Sequence, residues 1–272
     1  VQKALNLDQT KVISLSNDPS VAGKNVFIMG TTVQTSANRL VKFAISRGFH
    51  RIAVVGPQEN IGHKGIEATK NAIKRNGAIL TMHASYPFSI EGIKESAQQI
   101  YNDLKISNST AIIFTDSPSR GLSFITEQLF QLYYNNNEPP PQFMGLTRWD
   151  RTKQILHESS LQKAWFVIPD QQFKKRYIER YQKIFKTKPS ETSWLSYDAI
   201  ALIGGVIKKS GPINTNNKFQ KKYFLDQKGF QGVNGIFRFK KDGSNERSLS
   251  IAEVNVGKFK IIDPSKTKFQ EE

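Results

Sequence analysis

The chain has 272 residues, of which 38% are hydrophobic and 11% aromatic, so it is long enough and apolar enough to bury a substantial core. Its formal net charge of +16 predicts attraction to anionic surfaces, but the basic residues are spread through every segment and no basic helix or recognition motif indicates nucleic acid. The absence of cysteine excludes disulfides and Cys-ligated zinc, and no apolar run is long enough to span a membrane. The chain has neither an initiator Met nor a signal peptide, which predicts a mature or trimmed product.

Apolar runs closed by turn residues alternate with helical patterns through the first 170 residues. The predicted strands cover residues 11–15, 26–30, 51–57, 78–82, 111–115, 142–146 and 164–168, and helices are predicted at 35–48, after Gly62, at 91–104 and up to about Tyr134. The clearest unit is Arg51–Pro57, an apolar run that ends in Gly-Pro and leads into a helix. Strands that alternate with helices predict a parallel sheet, and ligands of such sheets bind at the carboxyl ends of the strands. The residues just after each run are therefore the candidate functional residues.

The last third of the chain has a different character. Residues 170–186 predict a helix whose aromatic side chains recur every four positions and are expected to face the core. These aromatic residues are Phe173, Tyr177, Tyr181 and Phe185. Residues 192–209 predict the most apolar helix, which ends at Ser210-Gly211-Pro212. Extended segments at 235–240, 248–256 and 259–262, separated by turns, predict a β-meander.

The residue patterns that enzymes need are missing. Gly56–Lys64 is similar to a phosphate-binding loop, but its spacing is one residue too long and Gly65 stands where Ser or Thr would bind magnesium. No GxGxxG follows a strand, and no serine lies in a nucleophile-elbow context. The four histidines have no second ligand at metal-binding spacing. The sequence therefore predicts no enzyme, no cofactor and no metal site.

Several stretches resemble type I periplasmic binding proteins of the leucine/isoleucine/valine class. They are Ile13–Pro19, Arg51–Pro57 with Gly62, and Gln142–Gly145. Later stretches more closely resemble the bacterial branch labelled penicillin-binding protein activator. They are Gly145–Asp150, Ala164–Asp170, Arg180-Tyr181, Leu195–Leu202, Gly229–Phe239 with Asp242-Gly243 and Glu246-Arg247, and Ile262–Pro264. The resemblance covers nearly all of the chain, but the β-α units with which the family begins its first lobe have no counterpart.

The resemblance implies an α/β fold of two lobes, with parallel sheets flanked by helices, an incomplete first lobe and a ligand cleft between the lobes. The first lobe would hold residues 1–49 plus 170–240, and the second would hold 50–169 plus 241–272. The cleft would be lined by the loops that follow the strands, and their hydroxyls, amides and one Arg suit a small polar or anionic ligand. The residues concerned are Ser16, Asn17, Asp18, Gln58, Asn60, Asp116, Ser117, Thr147, Arg148 and Trp149. Helix capping by the hydroxyl, amide and carboxylate side chains, with Trp149 as a packing residue, is an equally open alternative.

Two positions depart from the amino-acid binders of this class. Where those proteins carry a glutamate that pairs with the ligand ammonium, this chain has Thr147 beside Arg148. Where they carry an aromatic residue before the glycine at position 62, it has Ile61. Exchange of a buried anion for a hydroxyl next to a cation reverses the electrostatic preference, which argues against a branched-chain amino acid and favours an anionic ligand or none.

Two functions follow from the resemblance. The first is an extracytoplasmic solute-binding protein that serves an ABC permease. The alternative is a non-transport interaction protein of the activator type, which regulates cell-wall synthesis by binding a synthase. The predicted location is the periplasm, with a lipid anchor before processing. A pocket of convergent polar groups favours the first function, and an apolar exterior patch favours the second.

Overall fold

The computed structural model describes residues 10–146, 148–210 and 219–269, which form two compact units. Unit 1 comprises the described residues of 1–32, 169–249 and 265–272, and unit 2 comprises those of 33–168 and 250–264. Residues 241–249 and 265–269 lie in unit 1 and not with the predicted second lobe, and the helix at Val33–Ser46 lies in unit 2 and not with the predicted first lobe. There the side-chain amide of Gln34 donates to the carbonyl oxygen of Ala68 at 3.1 Å.

The secondary structure follows the predicted alternation. The strands are β1 Val12–Ser14, β2 Val26–Ile28, β3 Arg51–Pro57, β4 Ile79–Tyr86, β5 Ala111–Phe114, β6 Gln142–Gly145, β7 Trp165–Pro169, β8 Phe230–Gly232, β9 Gly235–Phe239, β10 Asn245–Arg247, β11 Leu249–Asn255 and β12 Lys258–Asp263. The helices are α1 Val33–Ser46, α2 Asn60–Arg75, α3 Ile90–Ile106, α4 Leu122–Asn135, α5 Gln172–Phe185, α6 Glu191–Ser210 and α7 Lys221–Phe224. The predicted end of α6 at Gly211-Pro212 lies outside the described residues.

Unit 2 is built on a seven-stranded sheet with the order β12-β11-β7-β6-β5-β3-β4. The five strands from β3 to β7 are parallel, which confirms the predicted sheet. Ile52 and Val54 alternate along β3 with Ala53 and Val55, and all four are fully buried, so both faces of the strand are covered. Burial on both faces is the reason that β3, β5, β6 and β7 read as continuous apolar runs.

Unit 1 contains two small sheets. Strands β1 and β2 pair in parallel, and β8, β9 and β10 form an antiparallel sheet in which β9 is central. Its core is rich in phenylalanine, and the rings of Phe27 and Phe224 stack at 5.0 Å between their centres. Helix α6 contributes Leu202 and Val206 to this core.

The prediction of one β-meander at the C-terminal end is wrong. Strands β9 and β10 form a hairpin in unit 1, whereas β11 and β12 form a hairpin at the end of the large sheet of unit 2. The chain changes unit at residue 250, since backbone hydrogen bonds join Val254 to Lys163 and Ala164 beside β7. Residues with similar extended patterns thus complete two separate sheets.

The prediction that the aromatic stripe of α5 faces the core is also wrong. No residue of α5 is buried, and its aromatic rings lie against α6 and solvent. Within the described part of the chain, no helix has the length and apolar character needed to cross a bilayer.

Candidate functional site

The carboxyl ends of β3, β5 and β6 bring most of the predicted site residues of unit 2 to one edge of the sheet. Gln58 and Asn60 follow β3, Asp116 and Ser117 follow β5, and Arg148 and Trp149 follow β6. Because these strands are parallel neighbours, the loops after them lie at the same edge, where ligands of parallel sheets bind. Thr147 lies outside the described residues.

A glycine motif sets the position of the first of these loops. A Cβ atom at Gly56 would collide with Thr115 Oγ1, and one at Gly62 would collide with the carbonyl oxygen of Pro57. Gly65 likewise leaves room for the side chain of Thr115. The glycines therefore allow the start of α2 to pack directly against β3 and the end of β5. This packing presents Gln58 in an exposed position at the edge.

Asp116 connects three elements at this edge and is only 1% exposed. Its Oδ2 accepts hydrogen bonds from Tyr86 Oη at 2.7 Å and from the backbone N–H of Gly121 at 3.0 Å. Its Oδ1 accepts the backbone N–H of Ser117 at 2.8 Å. Burial and the adjacent carboxylate raise the pKa of Tyr86, which keeps the phenol protonated as a donor. The carboxylate thus ties the end of β4 to the start of α4.

The charge of Arg148 is balanced by Asp150, which is not among the predicted site residues. Its Nε and Nη2 atoms lie 2.6 and 2.5 Å from the two carboxylate oxygens of Asp150. The two side chains are 17% and 8% exposed, so the pair lies largely within the protein. The local charge is therefore close to zero, which removes much of the predicted preference for anions. The sequence does contain a signal for this ion pair, because Asp150 lies only two residues after Arg148.

Trp149 is fully buried beneath the same loop. Its ring stacks on Phe166 at 5.7 Å between the ring centres, and a side chain on Gly145 would run into the indole. Gly145 of the predicted motif therefore makes room for Trp149. Among the described residues, Trp149 Nε1 has no hydrogen-bond partner.

Apolar and charged side chains outside the predicted set also lie at this edge. Phe88, which follows β4, is 60% exposed, and Ile61 at the start of α2 is 54% exposed. The guanidinium of Arg120 lies 5.7 Å from the centre of the Phe88 ring and pairs with Glu59. The edge thus combines amides and a hydroxyl with apolar surface and paired charges. Phe88 lies in a loop, where an exposed apolar residue carries no pattern in the sequence, so it was not predicted.

The predicted site residues of unit 1 lie in a loop that is held by local hydrogen bonds. Ser16 Oγ accepts the backbone N–H of Asp18 at 3.0 Å, and Asp18 Oδ1 accepts that of Ser20 at 2.9 Å. The backbone N–H of Gly30 donates to the carbonyl oxygen of Ser16 at 2.9 Å. The side chain of Asn17 is exposed in this loop. Within the residues described, no group of three or more metal-binding side chains is present.

Comparison with known proteins connects this arrangement to a family. A protein of Rhodospirillum rubrum described as part of a branched-chain amino acid ABC transporter is 15% identical with a TM-score of 0.72, over 88% of this chain and 68% of that one. The leucine-binding protein LivK of Thermotoga maritima is 16% identical with a TM-score of 0.63, over 92% and 71%. A solute-binding protein of R. palustris solved in complex with benzoate is 13% identical with a TM-score of 0.61, over 97% and 74%.

These likenesses show a shared fold, that of the type I periplasmic binding proteins, as predicted. None of the curated proteins compared with the chain matches it. A family profile described as periplasmic binding protein matches residues 1–258. Because the match extends over nearly the whole sequence, the chain belongs to the periplasmic binding protein family.

Proposed function

We propose that the protein is an extracytoplasmic solute-binding receptor of the ABC-transporter type, which binds a small polar or anionic ligand. The observation that carries this proposal is the family match over residues 1–258. The position of the exposed amides and hydroxyl at the carboxyl edge of the unit 2 sheet supports it, since this is the edge at which ligands of parallel sheets bind.

The residues at this edge divide into two proposed roles. Gln58, Asn60 and Ser117 have accessible polar side chains and contact the ligand. Asp116 and Trp149 are buried and hold the loops in position. Thr147 and the unit 1 residues Ser16, Asn17 and Asp18 stay predicted ligand contacts.

The paired charges narrow the chemistry of the proposed ligand. Arg148 and Asp150 bind each other and leave little net charge at this edge, and Phe88 adds exposed apolar surface. A polar or anionic group joined to a compact apolar part fits this combination. Solved relatives of the same fold hold leucine or benzoate, and both ligands have this character.

A thermal-shift screen against amino acids, organic acids and cell-wall fragments tests the receptor function. A ligand at about 100 times its Kd stabilises the protein by roughly 2.7 kcal/mol, which raises Tm measurably. We expect a hit that is lost in Arg148→Ala and kept in Lys153→Ala, an exposed cation on the neighbouring segment. A panel without any hit, or a hit that both variants retain, contradicts the proposed site.

The second candidate is an interaction protein of the penicillin-binding protein activator type, lipid-anchored before processing. The observation that favours it is an exposed aromatic groove beside α5, because contiguous apolar surface is typical of protein-binding sites. Titration of the protein into a cell-wall synthase assay tests this function directly. A change in synthase rate that saturates with protein concentration supports it, and an unchanged rate contradicts it.

A further inference from the structure

Arg120 and Glu59 form an ion pair at the candidate site edge of unit 2. Arg120 lies in the loop between β5 and α4, and Glu59 lies directly before α2. Their side chains are 33% and 42% exposed, so water reaches both partners. Because water screens a pair of this kind, the contact is weak and a ligand can compete with it. The pair of Arg148 and Asp150 is different, since it has two hydrogen bonds and side chains that are only 17% and 8% exposed.

Hydrogen bonds fix the backbone on both sides of the Arg120 side chain. The N–H of Arg120 donates to the carbonyl oxygen of Ser117 at 3.1 Å, which closes a turn. The next N–H along the chain, that of Gly121, donates to the buried Asp116 Oδ2 at 3.0 Å. Arg120 therefore extends from a fixed loop, and it shares its turn with Ser117, a proposed ligand contact.

The carboxylate of Glu59 serves Arg120 and not its own helix. Glu59 occupies the N-cap position of α2, but its side chain makes no capping hydrogen bond there. A side chain at this position usually stabilises the helix through such a bond. The carboxylate instead contacts Arg120 Nη2, and its neighbours in the chain are the proposed ligand contacts Gln58 and Asn60. Glu59 thus occupies part of the Arg120 donor fork within the proposed site.

The guanidinium of Arg120 has the chemistry to bind a ligand anion. It carries several N–H donors in one plane, and a single carboxylate engages only some of them. A ligand carboxylate has the same shape and charge as the Glu59 side chain, so it competes for the same donors. The ring centre of Phe88, which is 60% exposed, lies 5.7 Å from the guanidinium and adds apolar surface beside the charge.

We propose that Arg120 binds the anionic group of the ligand and that Glu59 is the competing carboxylate which this group displaces. The ligand is then an organic anion whose apolar part packs against Phe88, and it is not a zwitterion. The pair of Arg148 and Asp150 holds the loop after β6 in position. This inference rests on the proposed receptor function and deepens it, because it names the charge of the ligand and the residues that select it.

Isothermal titration calorimetry with three probes that share a benzyl group tests the proposal. Phenylacetate is an anion, phenylacetamide is its neutral counterpart, and L-phenylalanine carries an additional ammonium group. We expect phenylacetate to bind at least about tenfold more tightly than either of the others. Arg120→Gln should remove this preference. The matched control is Lys94→Gln, at an exposed cation of α3, which should leave the preference unchanged.

Removal of the competing carboxylate gives the sharper result. Glu59→Gln should strengthen phenylacetate binding about two- to fivefold, because the anion no longer has to displace Glu59 from the guanidinium. In the Arg120→Gln background the same substitution should have no further effect, and a double-mutant cycle measures this coupling. Glu91→Gln, at an exposed carboxylate in the first turn of α3, is the matched control and should not change the affinity.

Several results would overturn the proposal. Weaker binding of L-phenylalanine to Glu59→Gln would identify Glu59 as the partner of a ligand ammonium. Equal strengthening by Glu59→Gln and Glu91→Gln would show a general effect of charge. Phenylacetate that does not bind at up to about 10 mM, or that binds Arg120→Gln as well as wild type, would exclude Arg120 as the anion contact. A hit in the solute screen that is lost in Arg148→Ala but kept in Arg120→Gln would support the receptor function and overturn only this inference.

Discussion

Tyr86 Oη donates a hydrogen bond to Asp116 Oδ2 at 2.7 Å, and both residues are almost completely buried. Tyr86 is the last residue of β4, and Asp116 lies two residues after the end of β5. The same carboxylate oxygen accepts the N–H of Gly121, just before α4. These buried hydrogen bonds therefore stabilise the loops that form the edge of the candidate site.

Removal of this phenol should destabilise the protein. In Tyr86→Phe, one donor to a buried carboxylate is lost, and a hydrogen bond to a charged group contributes about 1.5–3 kcal/mol. Urea denaturation should show a decrease of that order in the free energy of unfolding. Tyr134→Phe, at a tyrosine that is 69% exposed, is the matched control and should change little. Equal effects of the two substitutions would contradict a structural role for the Tyr86–Asp116 contact.

The glycine motif at the start of α2 predicts a substitution with a specific rescue. Gly56→Ala should destabilise by about 1–3 kcal/mol, because the added Cβ collides with Thr115 Oγ1. Removal of that oxygen in Gly56→Ala/Thr115→Ala should recover part of the loss, and a double-mutant cycle measures the coupling. Gly204→Ala, where space is open within α6, should instead stabilise by roughly 0.5–1 kcal/mol. Additive effects at positions 56 and 115 would contradict the close contact.

A cluster between α3 and the loop after α4 predicts a loss of stability in acid. Lys105 Nζ lies 2.5 Å from Glu138 Oε1, and Tyr101 Oη donates to Glu138 Oε2 at 2.7 Å. The hydrogen bonds from Lys105 and Tyr101 lower the pKa of Glu138 below its usual value of 4.5. A carboxylate with a lowered pKa stabilises the fold above its unfolded pKa, and this contribution disappears as the pH falls through the folded value.

The test compares Glu138→Gln with the wild type at two pH values. The variant should be less stable at pH ~7, and the difference should shrink as the pH falls below 4.5 and through the lowered pKa of Glu138, where the wild-type carboxylate takes up a proton. Glu95→Gln, at an exposed carboxylate of α3, should show no such pH-dependent difference. A difference between Glu138→Gln and the wild type that is constant across pH would show that the ion pair does not contribute.

The buried pair in unit 1 has the opposite pH dependence. Asp198 and Arg247 each have side chains that are 1% exposed, with 3.9 Å between Asp198 Oδ2 and Arg247 Nη1. Burial raises the pKa of Asp198 above 3.8 and lowers the pKa of Arg247 to about 10. A carboxyl with a raised pKa binds its proton more readily in the folded state, so its contribution to stability increases as the pH falls through that pKa.

Removal of one partner of this pair should lower the free energy of unfolding substantially. Arg247→Met leaves a buried carboxylate without its cation, and we expect a loss of about 3–5 kcal/mol at neutral pH. The loss should become smaller as the pH falls and Asp198 takes up a proton. Asp198→Asn/Arg247→Met should recover much of the stability, since neither charge remains. A double variant as unstable as the single one would show that the packing of Arg247 matters more than its charge.

Local patterns in the sequence determined most of unit 2. Continuous apolar runs specify strands that are buried on both faces, so the parallel sheet that contains β3, β5, β6 and β7 could be predicted without coordinates. The same sheet placed Gln58, Ser117 and Arg148 at one edge. The prediction of a parallel sheet succeeded because burial on both faces leaves a signal in every residue of its central strands, whereas the ligand contacts stay predictions.

Only the tertiary structure decided what those residues contact. The bond between Tyr86 and Asp116 joins positions 30 residues apart, and a helical stripe such as that of α5 shows that a face is apolar without showing what covers it. Strands β10 and β11 follow each other directly in the chain, yet they join different sheets, because β10 pairs with β9 whereas β11 pairs with β12 and with the distant strand β7. Sequence periodicity records which side of an element is apolar, whereas the partner on that side depends on how the whole chain packs.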